Sequence, residues 1–246
     1  MFANYNNLTE SASARLEFAY DYMGRRIEKK IFSGSAGNWT LEKHLRYVYD
    51  GYLQVEELDA FNSNAVVKTR LWEPGGNRLL SVYHLSDQSY IPYYTFSDAN
   101  KNITEYIDSE GLVHAHFEYS PFGKITVSSG SNPDSFDFRF SSEYFDSETG
   151  LVYYNYRYYS PELGRWMSRD PIEEQGGENL YAMVGYDVIN LTDINGLVDF
   201  TYHKSYIDEV YQVGGVGFIT GGSGRVVKHI TGEHTFNVNY KKEAKY

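Results

Sequence analysis

The sequence predicts a mostly β protein, and three observations carry that prediction. Aromatic residues make up 17% of the 246 positions, with 25 Tyr against 14 Phe and 3 Trp. Tyrosine suits a pleated, half-wet surface because its ring packs while its hydroxyl stays solvated. Four stretches share one hairpin plan: residues 16–32, 45–58, 93–108 and 115–127. In each, a short alternating strand ends in Tyr or Phe, then comes Asp, Ser or Pro, a turn holding Gly or Asn, and a second alternating strand. Helix signals, by contrast, are sparse. The best is the short segment GENLYAMVGYDVIN at 177–190.

Taken in order, the hairpins occupy residues 1–138. Their spacing is irregular, and both a stacked repeat array and a plain β sandwich satisfy it. FSGSAGNWT (32–40) and SSGSNPDSF (128–136) are rich in Ser, Gly and Asn and read as exposed loops. Six tyrosines then fall between Tyr144 and Tyr159. Read as one strand, Tyr154, Tyr156 and Tyr158 share a face and Tyr153, Asn155, Arg157 and Tyr159 the other, so both faces should be covered. DSETG (146–150) is a turn leading in, and SPELGRW (160–166) a turn leading out.

The net charge of −11 argues against a nucleic-acid-binding shell or a protein drawn to anionic membranes. With no cysteine, disulfides and thiol catalysis are excluded, and a zinc site would need His and carboxylate ligands alone. No cofactor is implied. No apolar run is long enough to span a bilayer, and the first residues lack a signal-peptide layout. Residues 198–246 hold six Lys or Arg and five Asp or Glu, against a strongly acidic remainder, which supports a boundary near 197.

The stretch RFSSEYFDSETGLVYYNYRYYSPELGRWMSRDPIEEQGGENLYAMVGYDVINLTDINGL (139–197) resembles the repeat-associated core of the Rhs family of YD-repeat proteins. YDYMGRR (20–26) and YDGY (49–52) are similar to the YD repeat itself. The resemblance implies a spiralling β-sheet shell, as in Rhs proteins and the C components of insecticidal toxin complexes. That shell encloses a toxic C-terminal polypeptide, and the core segment turns inward as a plug. It divides the chain into shell hairpins (1–138), plug (139–197) and variable cargo or remnant (198–246). The implied partners are the other repeats of a larger shell, or the chain's own cargo, with a cognate immunity protein left open. The implied location is that of a secreted or surface-associated bacterial effector.

The same resemblance implies an aspartyl autoprotease, in which two carboxylates share a proton and cut the chain just after the signature. The matching positions are Asp170 and Asp193, with Arg169 as electrostatic support and Leu197–Val198 as the scissile bond. The chain departs from the family pattern where Ile194 replaces a proline, and where Tyr186, Asp187 and Val188 replace Asn-Asn-Pro. Asp187 thereby becomes a candidate third carboxylate.

The tail is short for an enzyme domain. His203, His229 and His234 with Asp208, Glu209 and Glu233 invite a metal site, but scattered polar residues are the simpler reading. The glycines of 213–224 lack the Gly-Lys-Ser/Thr of a phosphate loop. Two other functions stay open: a YD-repeat surface adhesin, which predicts an outward aromatic row and no cleavage, and a small toxin enzyme within 198–246.

Overall fold

The computed structural model describes residues 14–35, 38–86, 89–176, 178–188, 191–193 and 195–197, and the backbone of four short strands beyond residue 200. Two compact units result, Met1–His203 and Lys204–Tyr246.

The first unit opens with ten antiparallel strands: β1 (Ala14–Tyr20), β2 (Arg26–Ser35), β3 (Asn38–Asp50), β4 (Leu53–Asp59), β5 (Ala65–Trp72), β6 (Leu79–Ser86), β7 (Ser89–Ser97), β8 (Ile103–Ile107), β9 (Val113–Tyr119) and β10 (Ile125–Ser129). Each pairs with its neighbour in sequence, giving one continuous meander. The turns explain why aspartate follows so many of the strands. Asp21 Oδ1 accepts the amides of Met23 and Arg25, both at 2.9 Å. Asp98 does the same for Asn100 and Asn102, and Asp108 for Glu110 and Leu112. One short side chain thus satisfies two turn amides, a role open to Asp but not to an apolar residue. The residue three beyond each Asp has positive φ: Gly24, Gly111 and, unusually, Lys101.

All four expected hairpins are present. Within the expected loop at 32–40, residues 32–35 and 38–40 are instead strand: Phe32 pairs with Leu41, Ser33 with Thr40 and Gly34 with Trp39. Ladder pairing at those residues outweighs the local Ser/Gly composition.

A four-stranded sheet follows, made of β11 (Tyr144–Asp146), β12 (Leu151–Tyr154), β13 (Arg157–Ser160) and β14 (Arg165–Trp166). The tyrosine ribbon is therefore a hairpin folded at Asn155-Tyr156, not one strand. Tyr153 pairs with Tyr158 and Tyr154 with Arg157, so the parity read across the turn does not hold. Double coverage does. Tyr144 and Tyr153 pack with Tyr47, Val82, Tyr106 and Phe117 of the ten-stranded sheet. Val152, Tyr154, Tyr159 and Trp166 pack with Phe140, Met183 and Val184 on the other side.

Among its described residues, the segment expected to be helical at 177–190 holds only a 3-10 turn at Val184–Tyr186, with another at Glu173–Gly176 just before it. Gly185 and its neighbours Val184 and Tyr186 have positive φ, which breaks any longer helix. Strand β15 (Leu191–Thr192) pairs with β16 (Thr201–Tyr202). The second unit is an antiparallel meander of β17 (Glu209–Val213), β18 (Val216–Thr220) and β19 (Val226–Ile230). Among the described residues no helix is long and apolar enough to cross a membrane.

Candidate functional site

Asp170 and Asp193 come together on one guanidinium. Arg157, at the start of β13, is buried, and its Nη2 lies 2.9 Å from Asp170 Oδ2 and 3.5 Å from Asp193 Oδ2. The β12–β13 hairpin fixes this arginine. Its guanidinium lies over the Trp166 ring, 4.2 Å from the centroid, and Tyr154 meets the same ring edge-on. Nε donates to the Gly196 carbonyl and Nη1 reaches Leu180 O at 3.5 Å. A buried arginine demands such partners, because an unpaired one would forfeit its hydration without return.

Each aspartate is held by its own loop. Asp170 accepts the Ile172 amide at 3.0 Å, and its own amide donates to Leu180 O at 3.1 Å. Asp193 Oδ1 accepts the amides of Gly196 at 2.7 Å and Asn195 at 3.2 Å. Gly196 is required: its φ is +78°, and a Cβ there would meet Tyr154 Cβ at 3.0 Å and Arg157 N at 3.2 Å. The Asn195 carbonyl accepts the Tyr156 amide at 3.1 Å, so residues 195–197 run against the tyrosine hairpin.

Burial pushes the Asp193 carboxyl up to about 7; Asp170 adds to the rise, while the two amides and Arg157 oppose it. Burial also lowers Arg157, against the pull of its two carboxylates. With its carboxyl lifted to about 7 chiefly by burial, Asp193 holds its proton up to near neutrality.

Arg169, expected to support the pair, is exposed, and Arg157 takes that place. Arg169 instead borders an open cleft with Asp170, Ile172, Glu173 and Leu180. Asp187 is exposed as well, and Glu143 is the further carboxylate whose charge acts on the Asp193 side. Leu197 is half-buried; Val198 and Ile194 lie outside the described residues. So do His203, Asp208, Glu233 and His234 of the tail, while Glu209 and His229 sit on the β17 and β19 backbone. No cluster of His, Cys, Asp or Glu among the described residues could hold a metal ion. The sequence reading placed Arg157 on a strand face without giving it a role. The signal was its lone charge within NYRYY, inside an aromatic ribbon covered on both sides.

Comparisons with known proteins agree with this architecture. Residues 6–181 match the Teneurin YD-shell family. The toxin subunit YenC1 of Yersinia entomophaga is 38% identical over 194 residues, which is 73% of this chain and 19% of that protein. Salivary gland surface protein 1 of Aedes aegypti is 28% identical over 77% of this chain and 6% of its own length. Among solved structures, TcdB2-TccC3 without its hypervariable C-terminal region superposes with a TM-score of 0.57 at 27% identity, covering 78% of this chain and 9% of that one. The chain thus spans less than a fifth of each of these three proteins.

Proposed function

The chain belongs to the Teneurin YD-shell family, and on that footing we propose that it is a toxin-enclosing shell segment whose core cuts its own backbone between Leu197 and Val198. The observation that carries this reading is the single Arg157 nitrogen shared by Asp170 and Asp193, with the Gly196 carbonyl on the same guanidinium. That arrangement holds the chain one residue before the proposed scissile bond.

In the reaction, the Asp170 carboxylate takes a proton from a water whose oxygen bonds to the Leu197 carbonyl carbon. The tetrahedral adduct collapses, the carbon–nitrogen bond breaks, and the Val198 nitrogen takes its proton from Asp193. The products are a Leu197 carboxyl and a free Val198 amine. No metal or cofactor is needed for this step. The enclosed polypeptide would be residues 198 onward, and the remaining partners would be further repeats of the same shell. Export as an effector belongs to the same proposal.

The test is the mass of the purified chain. The parent yields two fragments split at 197/198, and Asp170→Asn and Asp193→Asn each stay at 28.3 kDa. A parent that remains whole under folded conditions would overturn self-cleavage.

One observation favours a second reading. Tyr90, Tyr94 and Phe96 alternate along β7 and are all exposed, a row that suits ring stacking on a carbohydrate partner. A surface protein among the relatives fits that reading too. Glycan binding lost in Tyr94→Ala, by a chain that never cleaves, would favour the adhesin.

A further inference from the structure

Tyr52 and Tyr156 meet at the surface, one from each of the two sheets of the first unit. Tyr52 lies in the turn between β3 and β4, and Tyr156 in the turn between β12 and β13. Their hydroxyls are hydrogen-bonded, their ring centroids lie 5.3 Å apart, and the ring planes are inclined at 46°. The backbone fixes both turns. Asn155 Nδ2 donates to the Tyr52 carbonyl at 3.4 Å, and the Tyr156 amide donates to the Asn195 carbonyl at 3.1 Å. The two turns are thus joined to each other without help from the hydroxyls.

Packing alone does not call for this pair. Tyr52 is half-buried and Tyr156 is 38% exposed, so neither ring fills the core. A hydrogen bond between hydroxyls that water can reach adds little to stability. What the pair does provide is proximity of reactive atoms. Rings meeting tip to tip would hold their centroids farther apart than this. The edges that carry the hydroxyls therefore face each other, and with them the ortho carbons beside each hydroxyl. In a biphenol linked through its ortho carbons the hydroxyls are likewise neighbours and the rings are twisted out of one plane. Making that bond draws the centroids together by less than a carbon–carbon bond length.

Other tyrosine pairs lack one of these conditions. Tyr47 and Tyr144 share a hydroxyl contact and a ring contact, but both are buried. The Tyr153 and Tyr158 rings are 5.3 Å apart, yet Tyr153 is buried and its hydroxyl accepts the Arg26 amide. The Tyr20 and Tyr158 hydroxyls lie 2.8 Å apart, but the Tyr158 ring packs on Phe18 and Tyr153.

We propose that Tyr52–Tyr156 is an oxidative modification site, at which a peroxidase with hydrogen peroxide joins the two rings as dityrosine. Each phenol gives one electron and its hydroxyl proton to the oxidant. The two phenoxyl radicals form one bond between ortho carbons, and the hydrogens on those carbons move to the oxygens as the rings regain aromaticity. The two electrons and two protons reduce one hydrogen peroxide to two waters. In a chain without cysteine, this bond supplies the covalent closure that a disulfide gives elsewhere. It staples the ten-stranded sheet to the tyrosine hairpin across a sequence separation of 104. Closing so long a loop stabilises by restricting the unfolded chain. Self-cleavage is not required, because both tyrosines precede Leu197 and stay in one polypeptide whether or not the chain is cut.

The test treats the full chain, in dilute solution, with a haem peroxidase and hydrogen peroxide. The parent should gain dityrosine fluorescence, lose the mass of two hydrogens without dimerising, and show Tyr52 joined to Tyr156 by peptide mass mapping. Its thermal midpoint should rise. Tyr52→Phe and Tyr156→Phe keep the ring, and so the packing, and each should lose the intramolecular product. Tyr22→Phe, at a residue 95% exposed, should react as the parent does. Dityrosine that persists in both variants, that forms only between chains, or that never forms in the parent would overturn the proposal. A midpoint unmoved by the crosslink would overturn its role as a staple.

Discussion

Two buried arginines sit on opposite faces of the same small sheet, and their partners differ in one respect. Arg26 of β2 is ringed by Phe18, Tyr47, Tyr144 and Tyr153, and its Nη1 lies 2.5 Å from Asp146 Oδ2. Lys29 reaches the other Asp146 oxygen at 2.6 Å. That cluster offers two cations to one fully buried carboxylate, with Glu148 at its half-exposed edge. Arg157, under Trp166, offers one cation to two buried carboxylates. The first cluster clamps the ten-stranded sheet to the tyrosine hairpin. The second leaves Asp193 poised near neutrality. Aromatic burial is common to both, and the two clusters differ in how many buried carboxylates share each cation.

Arg26→Ala should break that comparison most severely. Removing one member of a buried pair leaves an uncompensated charge and costs roughly 3–5 kcal/mol. Thermal unfolding should show a large fall, and a fall no larger than that of a surface mutation would mean that the cluster is not a lock.

Asp193→Asn sharpens the contrast in the other direction. The folded pKa of Asp193 is raised above its unfolded value of 3.8. The folded state therefore binds the extra proton, and its stability falls as pH rises from about 4 through about 7. Asparagine removes that loss. At pH 8 the variant should melt above the parent, by about 2–4 °C for each kcal/mol relieved, and at pH 4 the two should coincide. Equal midpoints at both pH values would show that Asp193 carries no burial penalty.

Arg169→Ala is the small control. The side chain is exposed and its role belongs to Arg157, so stability should stay within roughly 0.5 kcal/mol and the fragment pattern should not change. Loss of cleavage in this variant would restore the role that the sequence suggested.

How much of this could be read in advance follows from how local each cause is. The turn aspartates act within four residues of themselves, so Asp21, Asp98 and Asp108 announce their hairpins in the sequence. The aspartate pair was legible through the spaced signature of 139–197. Arg157 was not, because its partners lie 13 and 36 residues on and its role depends on a fold at Asn155-Tyr156. A two-residue turn inside NYRYY carries no glycine or proline to mark it. The anchoring of the Lys101 turn was hidden for a related reason: the partners that pack on it, Ser141, Ser142 and Val188, lie 39, 41 and 88 residues beyond the turn residues they bond. The 32–40 stretch went the opposite way, where loop-like composition yielded to ladder pairing set by Phe32, Trp39 and Leu41.

The most direct measurement is the titration of the Asp193 side chain, followed by carbon-13 NMR of carboxyl-labelled aspartate and assigned by its loss in Asp193→Asn. Burial of the Asp193 carboxyl, with Asp170 adding to it, predicts a midpoint near 7. A midpoint near the ordinary aspartate value of about 3.9 would contradict it, and would leave Arg157 with Asp170 and Asp193 as a second structural lock.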